Sequence, residues 1–152
     1  MAARKGIFSL EYFPPRSAKG EQSLAVARRE LSALGPAYAS VTFGAGGSTQ
    51  AGTYETVKAI LEEDRIEAAP HISCISTDRA SLAAMLSDYR TLGVRRLVAL
   101  RGDPPSGYGM LEAHELRYAN ELVAFIREQS GDYFTIEVAA YPEFHPQAKN
   151  AR

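Results

Sequence analysis

The chain predicts an α/β protein built on a parallel sheet with helices packed against it. Short runs rich in β-forming residues alternate with longer segments whose apolar residues recur at helical spacing. The connections between them are short, as in strand–helix–strand units. The unusual polar residues fall at the carboxyl ends of successive predicted strands, where the ligand sites of parallel α/β proteins form. Two closures fit this alternation: an open doubly wound sheet, or a (β/α)8 barrel, which typically needs about 250 residues. The 152 residues here hold one domain or part of a larger one.

Residues 7–13 form a first apolar, β-rich run, stopped by Pro14-Pro15. Residues 16–34 carry Leu24, Ala27, Leu31 and Leu34 at helical spacing and end at Gly35-Pro36. Residues 38–43 are a second strand, followed by the turn Gly44-Ala45-Gly46-Gly47-Ser48. Residues 53–64 read as a helix with Tyr54, Val57 and Leu61 on one face. Residues 68–75 are the third strand, and Ser76-Thr77-Asp78 offers caps for the next helix. There Leu82, Met85, Leu86, Tyr89 and Leu92 make the apolar stripe, closed by Gly93. Residues 96–100 are the fourth strand. After a loop, residues 112–129 form a helix with Leu116, Ala119, Leu122, Val123 and Ile126 inward, ended by Gly131. Residues 135–140 are the fifth strand, and Tyr133 and Phe134 before it read as core or edge residues.

Composition removes several functional classes. With 17 basic and 18 acidic residues the net charge is −1, so no general attraction to nucleic acid or an anionic membrane is expected. A single cysteine, Cys74, excludes an intrachain disulfide framework and a cysteine-rich zinc site, and its apolar strand reads as buried and inert. No apolar run approaches the roughly 20 residues that span a bilayer, and the start leads into no signal core, so a cytoplasmic protein is expected. The three histidines, at 71, 114 and 145, form no metal-binding pair, and no metal is expected. His114 reads as surface. No Gly-x-Ser-x-Gly elbow is present. An aldolase-like barrel would need a strand-end lysine, and Lys58 falls in a helix and Lys149 in the tail.

The polar residues at strand ends are Glu11, Thr42, His71, Arg101-Gly102-Asp103, Tyr141 and His145. The segments that carry them resemble the methylenetetrahydrofolate reductase family. Five match in order: Phe8-Ser9-Leu10-Glu11-Tyr12-Phe13-Pro14-Pro15-Arg16, Ser40-Val41-Thr42-Phe43-Gly44-Ala45-Gly46-Gly47-Ser48-Thr49, Ala69-Pro70-His71-Ile72-Ser73-Cys74, Ala99-Leu100-Arg101-Gly102-Asp103-Pro104-Pro105, and Ala139-Ala140-Tyr141-Pro142-Glu143-Phe144-His145-Pro146. The resemblance implies a partial (β/α)8 TIM barrel of about five parallel strands and four helices. Residues 1–152 would be one incomplete barrel domain, truncated after strand five. It further implies reduction of 5,10-methylenetetrahydrofolate to 5-methyltetrahydrofolate in one-carbon and methionine metabolism. FAD would be the cofactor and NADH or NADPH the electron donor.

On this resemblance Glu11 is the general acid. Ring opening of methylenetetrahydrofolate needs a proton on a nitrogen, and only a neutral carboxyl can give it. The apolar neighbours Leu10 and Tyr12-Phe13-Pro14-Pro15 are a setting that can raise a glutamate pKa. Asp103, as an anion near the flavin, would stabilise the cationic iminium. Arg101 suits a pyrophosphate and Gly102 a close backbone approach. Thr42, His71, Tyr118, Ala119, Tyr141 and His145 match further flavin-contacting positions. Each has a plain structural reading beside this: a strand threonine, a satisfied core histidine, a helix-stripe alanine, loop residues. The glycine turn at 44–48 departs from Gly-x-Gly-x-x-Gly and reads as a tight turn rather than a phosphate cradle. A truncated, non-catalytic flavin- or folate-binding module is the rival reading. Open sheet edges would favour a homo-oligomer or a complementing chain.

Overall fold

The computed structural model describes residues 6–43, 48–74, 77–102 and 115–140. They form five strands and four helices in strict alternation: β1 (Leu10–Tyr12), α1 (Ala18–Ser32), β2 (Tyr38–Val41), α2 (Ser48–Ala59), β3 (Glu67–Ser73), α3 (Arg79–Leu92), β4 (Arg96–Leu100), α4 (Ala119–Ser130) and β5 (Thr135–Val138). A π-helical turn, Ile60–Asp64, extends α2.

All strand pairs are parallel, and the spatial order is the chain order, β1-β2-β3-β4-β5. This order decides between the two closures. A doubly wound sheet reverses direction once, which sends helices to both faces. Here every crossover steps the same way, and right-handed crossovers that all step one way lay their helices on one face. That is the winding of a (β/α) barrel, so the partial TIM barrel implied by the motifs is the architecture observed.

Strand alternation then sorts the side chains. Tyr12, Ala39, Val41, Ala68, Ile72, Leu97 and Ala99 face the helices and are buried against Val57, Leu82, Leu86, Tyr89, Leu122, Phe125 and Ile126. The opposite face carries Glu11, Ser40, Ala69, His71, Ser73, Arg96, Val98, Leu100 and Glu137, brought side by side by the register Glu11↔Ser40, Ser40↔Ala69, His71↔Val98 and Val98↔Glu137.

Several boundaries differ from the sequence reading, each for a local reason. β1 is three residues long, not seven. Ile7 and Phe13 are exposed, and the Phe8 carbonyl is tied in, accepting from the Ala37 N–H at 2.8 Å. α2 begins at Ser48, before the predicted residue 53. Gly52 suggests a helix breaker, but a Cβ there would sit 3.3 Å from Pro14 Cβ, so the glycine serves close packing of the Pro14-Pro15 segment on the helix. α4 begins at Ala119, so Leu116 is buried ahead of the helix rather than on its stripe. Asp78 caps α3 as predicted, accepting from the Ser81 N–H at 2.8 Å, and these bonds hold its carboxyl below the usual range. Gly93, at φ 89°, closes that helix in the left-handed conformation favoured for glycine. The glycine turn at 44–47, His114 and the start of the predicted fourth helix lie outside the described residues.

On α1, the fully buried residue is Arg28 rather than a leucine. Its guanidinium meets Glu63 at 2.6 Å and Asp64 at 3.2 Å on the π-helical turn. Burial pushes the Asp64 carboxyl above its ordinary pKa, and Arg28 opposes that shift. The apolar spacing Leu24, Ala27, Leu31 gave no sign of this pair, because helical periodicity ranks residues by hydropathy and not by partners.

Candidate functional site

Glu11 is the middle residue of β1, and its alternation turns it to the face without helices. Its Oε2 lies 3.4 Å from His71 Nε2 and 3.4 Å from the Ser40 hydroxyl. Three adjacent strands therefore place one carboxyl, one imidazole and one hydroxyl together. The Glu11 side chain is 51% exposed, while that of His71 is 10% exposed. Burial holds the His71 pKa below its ordinary value, with the Glu11 charge opposing, so His71 is neutral at pH 7. A neutral imidazole has one N–H and one lone pair. With Nε2 protonated it donates to an ionised Glu11; with Nε2 bare it accepts from a protonated one.

The apolar enclosure that its sequence neighbours suggest for Glu11 is not formed by them. Leu10 and Tyr12 alternate to the helix side, and Phe13 is 71% exposed. The carboxyl instead stands among polar groups with one side open.

Two residues beyond His71 on the same face, Ser73 links the site to the end of β4. Its hydroxyl donates to the Arg101 carbonyl at 3.0 Å. The buried Cys74 thiol reaches the same carbonyl at 3.3 Å, and the Cys74 N–H donates to Leu100 O at 3.2 Å. Burial pushes the Cys74 thiol pKa up, which matches the inert role read from its strand. These bonds fix the backbone of Arg101 and lead into Gly102, whose φ of 80° is left-handed. The Arg101 guanidinium sits 5.8 Å from the centre of the Tyr118 ring. Its Nε is buried and has no hydrogen-bond partner among the described residues. Tyr118 precedes α4 and is 45% exposed, while Ala119, its first residue, is half-buried. The Glu121 carboxylate accepts from the Tyr118 N–H at 3.2 Å and secures that helix start.

Thr42 is half-buried just past β2. Its N–H donates to Tyr12 O at 3.0 Å, and its carbonyl accepts from the Thr53 hydroxyl at 3.0 Å. Thus Glu11, His71, Arg101, Gly102 and Tyr118 form a continuous line through Ser73, with Thr42 at the neighbouring strand end. Asp103, Tyr141 and His145 lie outside the described residues. Ser40 was not singled out from the sequence. The signal for it is register: a small polar residue in an apolar run, two positions before Thr42 and so on the same face. A cavity of about 730 Å³ between α1 and α2, lined in part by Pro14, Arg28 and Gly52, shares no residue with this face.

A one-way-wound parallel sheet with a carboxyl and an imidazole on its helix-free side, and an arginine-bearing loop at the carboxyl end of β4, has the layout of a (β/α) barrel, whose ligand sites form at the carboxyl ends of the strands. The family model for methylenetetrahydrofolate reductase matches residues 1–152. The chain is 44% identical over 144 residues to the 5,10-methylenetetrahydrofolate reductase of Salmonella typhimurium and 42% identical to that of Escherichia coli, covering 95% of this chain and 47% of each relative. It is 37% identical to the Zea mays methylenetetrahydrofolate reductase (NADH) 1, covering 93% of this chain and 24% of that protein. The chain belongs to the methylenetetrahydrofolate reductase family. It spans about half the length of the bacterial relatives it matches. Among the described residues, no helix is long and apolar enough to cross a membrane.

Proposed function

We propose that this chain supplies the general-acid side of a site that reduces 5,10-methylenetetrahydrofolate to 5-methyltetrahydrofolate, with FAD as cofactor and NADH or NADPH as electron donor. The observation that carries the reading is the convergence of Glu11, Ser40 and His71 on the helix-free face, in line with the Arg101-Gly102 loop. The matched relatives are named reductases, which favours an enzyme over a non-catalytic binding module.

The residues present fit a flavin dinucleotide. Among the described residues, the buried Arg101 Nε has no hydrogen-bond partner and its guanidinium forms no ion pair, which suits a pyrophosphate oxygen. Gly102 lets a ligand approach the backbone, and the half-exposed Tyr118 ring offers a stacking surface. His71, Thr42, Ala119, Tyr141 and His145 would complete the contacts. When bound, the flavin supplies hydride to the substrate carbon.

Glu11 holds the proton for the substrate nitrogen. Its open side gives the substrate access to the carboxyl. His71, neutral at pH 7, puts no competing positive charge beside the acid. Asp103 follows Gly102 directly and would stabilise the cationic carbon that ring opening leaves. The match spans 47% of the Salmonella relative. A second copy of this chain or a complementing chain would supply the facing wall of the site, in the cytoplasm.

Glu11→Gln tests the reading. In the FAD-loaded protein, folate reduction falls at least about 100-fold, while reduction of the flavin by the nicotinamide persists. Equal loss of both half-reactions would defeat the assignment.

A further inference from the structure

Ser40 is a buried hydroxyl, 7% exposed, on the strand between Glu11 and His71. Its Oγ stands 3.4 Å from Leu10 O and 3.4 Å from Glu11 Oε2. One hydroxyl has one hydrogen, so it cannot donate to both. The two equal, loose distances place Oγ midway between a fixed backbone acceptor and an acceptor whose protonation changes.

We infer that Ser40 is a positioning residue for Glu11, serving both of its protonation states by turning its hydrogen. This rests on the general-acid reading of Glu11. When Glu11 is ionised, the hydroxyl donates to Oε2. When Glu11 is protonated, the hydroxyl donates to Leu10 O and offers a lone pair to the carboxyl proton. The carboxyl thus keeps a partner, and its direction, before and after it gives its proton to the substrate nitrogen. Ser40 itself gains and loses no proton, and water restores the one that Glu11 loses. His71 alone cannot do this without changing tautomer, because a neutral Nε2 is either donor or acceptor. Ser40 answers by rotation about one bond.

The experiment is a ¹³C NMR titration of the Glu11 carboxyl in the full chain, for the unaltered protein, Ser40→Ala and Ser40→Thr. A hydroxyl that donates to a carboxylate favours the charged form, and charge-assisted bonds are the stronger ones. Ser40→Ala therefore raises the Glu11 midpoint, by about half a pH unit, and Ser40→Thr restores it. In the FAD-loaded protein, the alkaline limb of the pH–rate profile for folate reduction moves up with it, and the plateau drops about 3- to 10-fold, because an untethered acid spends less time aligned. Unchanged midpoints in Ser40→Ala, with circular dichroism showing a native fold, would overturn the inference. So would a Ser40→Thr variant that behaves like Ser40→Ala in a native fold. Should the midpoint shift while Glu11→Gln retains full folate reduction, the hydrogen bond stands, the general-acid reading fails, and the catalytic role of Ser40 fails with it.

Discussion

The helix-free face of the sheet carries two polar groups of opposite character. Toward the strand amino ends, Arg96 is closed in by its partners: its guanidinium meets Glu67 at 3.3 Å, forms a short ion pair with Glu137, and lies 4.6 Å from the centre of the Tyr38 ring. Toward the carboxyl ends, Glu11 Oε2 stands 3.4 Å from His71 Nε2 and 3.4 Å from the Ser40 hydroxyl, with Glu11 half in solvent. The first arrangement sets one guanidinium between two carboxylates and against an aromatic ring, and it ties four neighbouring strands together. The second is open to solvent on the Glu11 side, which leaves its carboxyl accessible to a ligand. A (β/α) barrel assigns stability to one end and ligand binding to the other, and here the difference is visible in which polar group is enclosed by ion pairs and which is left open to solvent.

The largest effect that would sharpen this contrast is chemical. Glu11→Gln lowers folate reduction by two orders of magnitude or more with little change in the urea midpoint, since the residue is half exposed. Next comes the core beneath both groups. Leu97 is fully buried against the helices, and Leu97→Ala costs about 3 kcal/mol in urea unfolding. Arg96→Ala leaves Glu67 and Glu137 facing each other without their cation. It costs roughly 1–2 kcal/mol, discounted for partial exposure, and leaves FAD affinity unchanged by absorbance titration. Weaker FAD binding in that variant would break the separation of the two ends. Arg101→Ala does the reverse, weakening FAD binding about tenfold while changing stability little.

The smallest effect is a pH dependence. Burial lowers the folded pKa of His71 below its ordinary 6.5. The unfolded chain therefore takes up a proton first as pH falls, and stability present above 6.5 drops below it. His71→Asn removes this contribution and flattens the fall in urea midpoint between about pH 7 and 5.5, by under about 1 kcal/mol. An unchanged slope would place His71 outside the buried end of the Glu11 cluster.

Much of this was legible in the residues. The fourth strand, residues 96–100, agrees with the structure at both ends, because Gly93 and Arg101-Gly102 bracket a run of β-formers. The strand-end placement of Glu11, His71 and Arg101 needed only alternation and motif. Ser40 and Arg28 were not legible, since each matters through a partner on another element, about 30 positions away in the chain. Local periodicity carries no information at that range.

The sequence by itself determined the alternation of strands and helices, the side of each strand that is apolar, and which residue types reach the strand ends. These follow from periods of 2 and 3.6 residues, which are local properties of the backbone. Only the tertiary structure decided that the strands follow chain order, that Leu10 and Tyr12 leave Glu11 among polar groups, and that Ser40 stands between two acceptors. Those depend on which strand pairs with which and in what register, and pairing is settled by burying one continuous apolar face rather than by any segment alone.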